Sequence, residues 1–164
     1  MSPIFKLIAA VLVGLPLLVF AAGYVSTSLK QARNSGDEAS AIAALRTIWS
    51  GQATFTSVQC NGRYAGTLTM LATPPAGSNV GFVTPDLGTA DVVEKSGYRF
   101  TIVAPDGDTQ SAGLSPACDG TVLSFTATAI PLEAESGKRY FSVDQDGEVT
   151  QATSASFEDA TPVR

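Results

Sequence analysis

The chain of 164 residues contains no histidine. That removes the commonest general base at neutral pH, the usual proton relay and the standard nitrogen ligand for a transition metal. A serine or cysteine nucleophile would need another base. Nothing in the spacing of Lys95, Lys138 or the carboxylates assembles a nucleophile, a base and an orienting group. No Gly-rich phosphate loop, Cys-x-x-Cys pair or haem attachment motif occurs. The expectation is a protein that is not an enzyme and carries no cofactor. Basic residues are scarce too, with ten Lys and Arg against fifteen Asp and Glu, a net charge of −5. From Asp37 onward all fifteen acids face seven bases (Arg46, Arg63, Lys95, Arg99, Lys138, Arg139 and Arg164). Such a domain has no electrostatic footprint for a phosphate backbone, which excludes nucleic acid as a partner.

Charge is absent altogether from Leu7 to Leu29, and Ile4 to Ala22 is apolar except for Lys6. A helix needs roughly 20 mainly apolar residues to cross the hydrocarbon layer, and Lys6 can snorkel to a headgroup surface. Two readings compete. A cleaved secretory signal would have Lys6 as its n-region, Leu7 to Phe20 as its h-region and small residues at Ala21, Ala22 and Gly23. A retained anchor is preferred, because uncharged sequence continues through Leu29 and Tyr24 stands where interfacial aromatics sit. Lys6 on one side is matched by Lys30 and Arg33 on the other, so the positive-inside rule is nearly silent. The expected organisation is a transmembrane anchor over 1–29, a polar linker over 30–36 and an extracytoplasmic α+β domain over 37–164. The N-terminus would lie in the cytoplasm and the domain in the periplasm or outside the cell. The lipid bilayer and other membrane-protein subunits would be its partners. Small residues at Ala9, Ala10, Gly14, Ala21, Ala22 and Gly23 would let neighbouring helices approach closely.

Two cysteines, Cys60 and Cys118, both lie in the domain. Outside the cytoplasm the expected state is one disulfide closing a long loop; in the cytoplasm they would be two buried thiols. Ser35-Gly36-Asp37-Glu38 has the form of a capping box and predicts a helix start. Ile42, Leu45, Ile48 with Trp49, Gln52 with Ala53, and Phe55 recur at helical spacing, giving an apolar face through about Ser57. Trp49 on that stripe reads as a core residue. Cys60 to Tyr64 reads as a turn, Thr67 to Leu71 as a short helical turn capped by Thr67, and Val80 to Glu94 as a loop. Strands are expected at Tyr98–Val103, at Val122–Ile130, and at the pair Tyr140–Val143 and Glu148–Thr150 joined through Gly147. The result is a helix packed on an antiparallel sheet of three or four strands.

A membrane helix, an amphipathic helix, a loop and a small antiparallel sheet is the layout of type IV pilins and of type II secretion pseudopilins. The local wording at Glu38–Ile48, Gln52–Phe55, Gly62–Ala65, Ser96–Phe100 and Tyr140–Asp144 with Gly147 resembles pilin-like proteins, over roughly Glu38 to Val149. The family's processing site is a Gly followed by Phe-Thr-Leu-Ile-Glu. Here Ile4 stands where the Gly would be and Ala9 where the Glu would be. The resemblance implies a pilin-like α+β fold detached from pilus processing. Some pseudopilins bind calcium in a late loop, and Asp144-x-Asp146-x-Glu148 alternates oxygen ligands around a Gly turn. The spacing matches only half an EF-hand loop, so a solvated hairpin is the preferred reading of these three residues and of Asp106-Gly107-Asp108.

These readings combine into a structural or accessory subunit of a larger membrane complex, whether secretory, photosynthetic, respiratory or of the envelope. Two alternatives stand beside it: a minor pilin or pseudopilin within a filament, and a secreted calcium- or ligand-binding domain released by cleavage near Ala21.

Overall fold

The computed structural model describes residues 3–105, 116–133 and 138–163, with side chains from residue 29 onward. The chain divides into two compact units, Met1–Gly36 and Asp37–Arg164. Helix α1 spans Pro3–Val58. It is followed by β1 (Tyr64–Ala65), α2 (Leu68–Ala72), β2 (Val92–Lys95), β3 (Tyr98–Val103), β4 (Thr121–Val122), β5 (Thr126–Pro131), β6 (Tyr140–Asp144), β7 (Val149–Ala152) and β8 (Thr161–Pro162). Strands β2-β3-β5-β6-β7-β8 form one sheet in that order, antiparallel throughout, and β1 pairs with β4 in a separate two-stranded sheet.

The expected anchor over 1–29 is the first correction. Among the described residues no helix is long and apolar enough to cross a membrane. From Leu29 onward α1 carries Lys30, Arg33, Asp37 and Glu38, which bar that part from a hydrocarbon layer. The side chains of Ala9, Ala10, Gly14, Ala21, Ala22 and Gly23 lie outside the described residues, as does Asp106-Gly107-Asp108. The polar break over 30–36 is the second correction, because α1 runs through it. Lys, Gln, Ala and Arg are good helix formers, and the single Gly36 costs only about 1 kcal/mol. Ser35 therefore caps nothing: its hydroxyl donates back to the Gln31 carbonyl at 3.1 Å.

The sheet is the third correction, with six strands where three or four are expected. Val92–Lys95 is a strand and not loop, joined to β3 by Ser96 and Gly97 at φ 49° and 74°. Two consecutive positive φ values make the tight turn whose twist suits a two-residue hairpin. The expected strand Val122–Ile130 is two strands: β4 pairs with β1, and β5 begins only at Thr126. Arg63 accounts for the division, since its guanidinium donates to the Thr121 hydroxyl and carbonyl, each at 2.8 Å, and ties β4 to the segment after α1. Phe125, in the gap, is buried with its ring 5.0 Å from that of Tyr64. Expectations met include β3 at Tyr98–Val103 and α2 with Thr67 as its cap, the hydroxyl accepting from the Met70 amide at 3.2 Å.

Within the second unit, Ala41, Ala44, Leu45, Ile48 and Phe55 of α1 share one core with Val93, Tyr98, Phe100, Ala127, Ala129, Phe141, Val143 and Val149 of the sheet. Each large side chain so buried stabilises by roughly 1.5–3 kcal/mol. Phe55 meets Phe82 edge to face at 5.2 Å, and Tyr98 meets Phe141 at 5.9 Å. Trp49 is not core: it is 36% exposed and lies over the β6–β7 turn, donating from Nε1 to the Gln145 carbonyl at 3.3 Å. A Cβ on Gly147 would come within 2.4 Å of the indole, and Gly147 also holds φ +82°, so only glycine suits that turn.

Cys60 and Cys118 form a disulfide with Cα atoms 5.7 Å apart across 58 residues of sequence. It closes the end of α1 onto the segment that enters β4. In the chain-entropy model a loop of that length gives about 4 kcal/mol. Replacing both cysteines by serine should lower unfolding stability by about 2–4 kcal/mol, read as a fall in the urea midpoint, with a steeper slope because the unfolded chain is freer to expand. A midpoint equal to that of the native chain would show that the core alone fixes this end of the helix.

Candidate functional site

Two buried polar side chains of the second unit, Glu38 and Gln52, lie on the core-facing side of α1. Counting back from Phe55 at helical spacing, the buried positions are Phe55, Gln52, Ile48, Leu45, Ala41 and Glu38. Two of the six are polar. Gln52 is fully buried and makes a two-point bond to one residue, donating to the Ala65 carbonyl and accepting from the Ala65 amide, both at 2.8 Å. Its amide thus behaves as an extra strand residue beside β1, leaving neither group unsatisfied.

Glu38, 7% exposed, is the one buried charge among the described residues. Its carboxylate accepts from the Arg139 amide at 3.1 Å and from the Arg139 guanidinium at 3.2 and 2.6 Å. Arg139 also donates to Gln151 of β7, and its guanidinium carbon lies 5.4 Å from the centre of the Phe141 ring. The Tyr98 hydroxyl donates to the Arg139 carbonyl at 3.0 Å. Helix α1 and strands β3, β6 and β7 are thereby joined through one arginine. The Glu38 hydrogen bond raises the guanidinium above its ordinary value. Burial, followed by the Glu38 charge, raises the Tyr98 hydroxyl well above 10.0. A carboxylate bonded by three donors and a tyrosine driven away from ionisation hold structure together and offer no free base.

Of the sequence-predicted metal residues, Asp144, Asp146 and Glu148 lie at the β6–β7 turn, and Asp144 is engaged within it. Asp144 accepts the Asp146 amide at 3.0 Å through Oδ1, and its carbonyl accepts the Gly147 amide at 3.1 Å, so its oxygens close the hairpin turn. Among the described residues no group of three or more His, Cys, Asp or Glu is placed to hold a metal ion. A groove of about 610 Å³ beside α2 is lined by Ala72, Pro74, Val80, Phe82, Val83 and Pro85 among others, none of them charged.

The sheet's two faces differ. The core side carries Val93, Phe100, Ala129 and Phe141, one from each successive strand. The opposite side carries the row Val92, Thr101, Thr128, Ser142 and Thr150. Its hydroxyls bond each other, Thr101 to Thr128 at 2.9 Å and Ser142 to Thr150 at 2.7 Å. Val92 and Val103, both about half exposed, lie on this side near the β2 edge, beside the Glu94–Arg99 ion pair. No protein-family model, curated protein or solved structure matches the chain.

Stability has a pH dependence with a distinct limb at each end, the alkaline one set at the Glu38–Arg139–Tyr98 clasp. Asp86 is held below 3.8 by the Lys95 ammonium, Asp91 by the Thr69 hydroxyl and Asp159 by the Thr153 hydroxyl. Their contribution is present above 3.8 and is lost as pH falls through their lower folded values. Tyr98, raised, contributes fully below 10.0 and loses that contribution as pH rises further. Melting temperature should accordingly be flat through neutral pH and fall at both extremes. Tyr98→Phe should shrink the alkaline fall while costing about 1 kcal/mol at neutral pH through the lost hydrogen bond. An alkaline limb identical in the variant would place its origin elsewhere.

Proposed function

We propose that this chain is a non-enzymatic, membrane-associated subunit of a larger protein assembly, with the domain from Asp37 onward acting outside the cytoplasm as a rigid docking module. The carrying observation is the asymmetry of the six-stranded sheet. One face packs on α1, and on the other the hydroxyls pair with each other, Thr128 and Ser142 being 9% exposed, beside Val92 and Val103, which are about half exposed. Hydroxyls already paired with each other carry little desolvation cost when another surface covers them, which lowers the cost of docking at the exposed valines. The disulfide supports an oxidising compartment. The uncharged run from Leu7 to Leu29 supports association with a membrane assembly.

The buried polar groups support the non-enzymatic part of the reading, since Glu38, Gln52 and Tyr98 are each engaged in bonds that fasten the helix to the strands. Amine-reactive cross-linking in cells that make the chain should join Lys95 or Lys138 to a second, different polypeptide. Cross-links confined within single chains would contradict the proposal. The pilin-like wording from Glu38 to Val149 favours a second reading, a filament subunit, which the same experiment would reveal as regular links between copies of this chain.

A further inference from the structure

The six-stranded sheet ends in two unlike edges. At one end β8 is two residues long, contains Pro162, and is followed by Val163, whose amide donates back to the Val149 carbonyl at 2.9 Å. Proline has no amide to offer, so this edge is closed to further pairing. At the other end β2 has four residues and no proline. Its two-residue connection to β3 makes Lys95 and Tyr98 the closing pair, which exchanges both main-chain hydrogen bonds in such a hairpin. Bonding alternates along an antiparallel pair, so Val93 also bonds to β3, whereas the amides and carbonyls of Val92 and Glu94 point away from it.

Both ends of β2 are fastened. Asp91 accepts from the Thr69 hydroxyl, and Lys95 pairs with Asp86. The strand is thus held extended, and among the described residues no strand pairs with its open side. Its Val92 is 51% exposed, and the strand is bordered by Asp91 before it, Glu94 paired with Arg99 and Asp86 paired with Lys95, within a domain whose acids exceed its bases by eight.

We propose that the β2 edge, through the main-chain groups of Val92 and Glu94, pairs with an extended segment of another polypeptide in which apolar and basic residues alternate, adding a seventh strand to the sheet. The main chain supplies the pairing, as in strand addition generally. An apolar side chain of the partner would lie beside Val92 and Val103, and its basic side chains would meet the acidic margin. This inference rests on the docking reading above and names the surface it uses.

The test uses the full chain and a synthetic, end-capped peptide of alternating valine and lysine. Calorimetric titration should detect binding, and hydrogen exchange at the Val92 and Glu94 amides should slow when the peptide is present. Val92→Pro removes one outward donor but no bond to β3, and should weaken binding about tenfold. Binding that leaves Val92 and Glu94 exchange unchanged, or no binding at all, would overturn the proposal even if the proline variant does not fold. Concentration-dependent pairing of the chain with itself that protects the same two amides would also overturn it, assigning the edge to a second copy. A folded Val92→Pro chain that keeps its cross-linked partner would remove the edge while leaving the docking reading intact. The absence of any cross-linked partner would remove that reading instead.

Discussion

A carboxylate taken out of water must be matched almost completely, and Glu38 is matched by Arg139 alone through three donors. That requirement fixes more than one residue. The Arg139 amide is among the three, so the entry to β6 must stand over the N-terminal part of the helical stripe. The Arg139 carbonyl then receives Tyr98, and its guanidinium reaches Gln151. Gln52 makes the same kind of demand four turns along α1, where only a backbone amide and carbonyl of one residue satisfy it. The apolar residues between these two points supply the larger share of the stability, but they are tolerant of sliding. The polar pair sets which turn of helix faces which strand.

This arrangement also shapes what chemistry the domain offers. Side chains that would serve as bases or ligands elsewhere are consumed in fastening: Glu38 at the clasp, Asp144 in a hairpin turn, Asp159 across a loop to Thr153. The disulfide adds a covalent tie where α1 ends. A domain tied down at so many points presents a stiff surface, and stiffness lowers the ordering cost of association.

Much of the domain was legible in the chain. The stripe positions Leu45, Ile48, Gln52 and Phe55, the capped turn at Thr67, strand β3 and the Gly147 hairpin all carried local signals that the structure bears out, whereas Trp49 and Ala53 of the same stripe are exposed. Failures came where a distant partner decides. Ser35 and Glu38 fit a capping box on paper, yet Arg139, 101 residues away, holds Glu38 and the helix runs through. The break between β4 and β5 depends on Arg63 reaching Thr121, which no local pattern announces. Val92–Lys95 hid because four residues give too little period, though Ser96-Gly97 ahead of Tyr98 was a usable hairpin signal. The clasp had a signal too: Glu38 and Gln52 fall on the same stripe as Leu45 and Phe55, and a polar residue on an apolar stripe calls for a buried partner.

The proposed docking role rests on a domain with one sheet face packed on α1 and an edge strand, β2, that no other described strand pairs with on its open side. The most direct measurement is native mass spectrometry of the chain extracted under mild, non-denaturing conditions. The account predicts a defined particle containing this chain and at least one different polypeptide in fixed ratio. A species with the mass of a single chain, under conditions that keep known membrane assemblies intact, would contradict it.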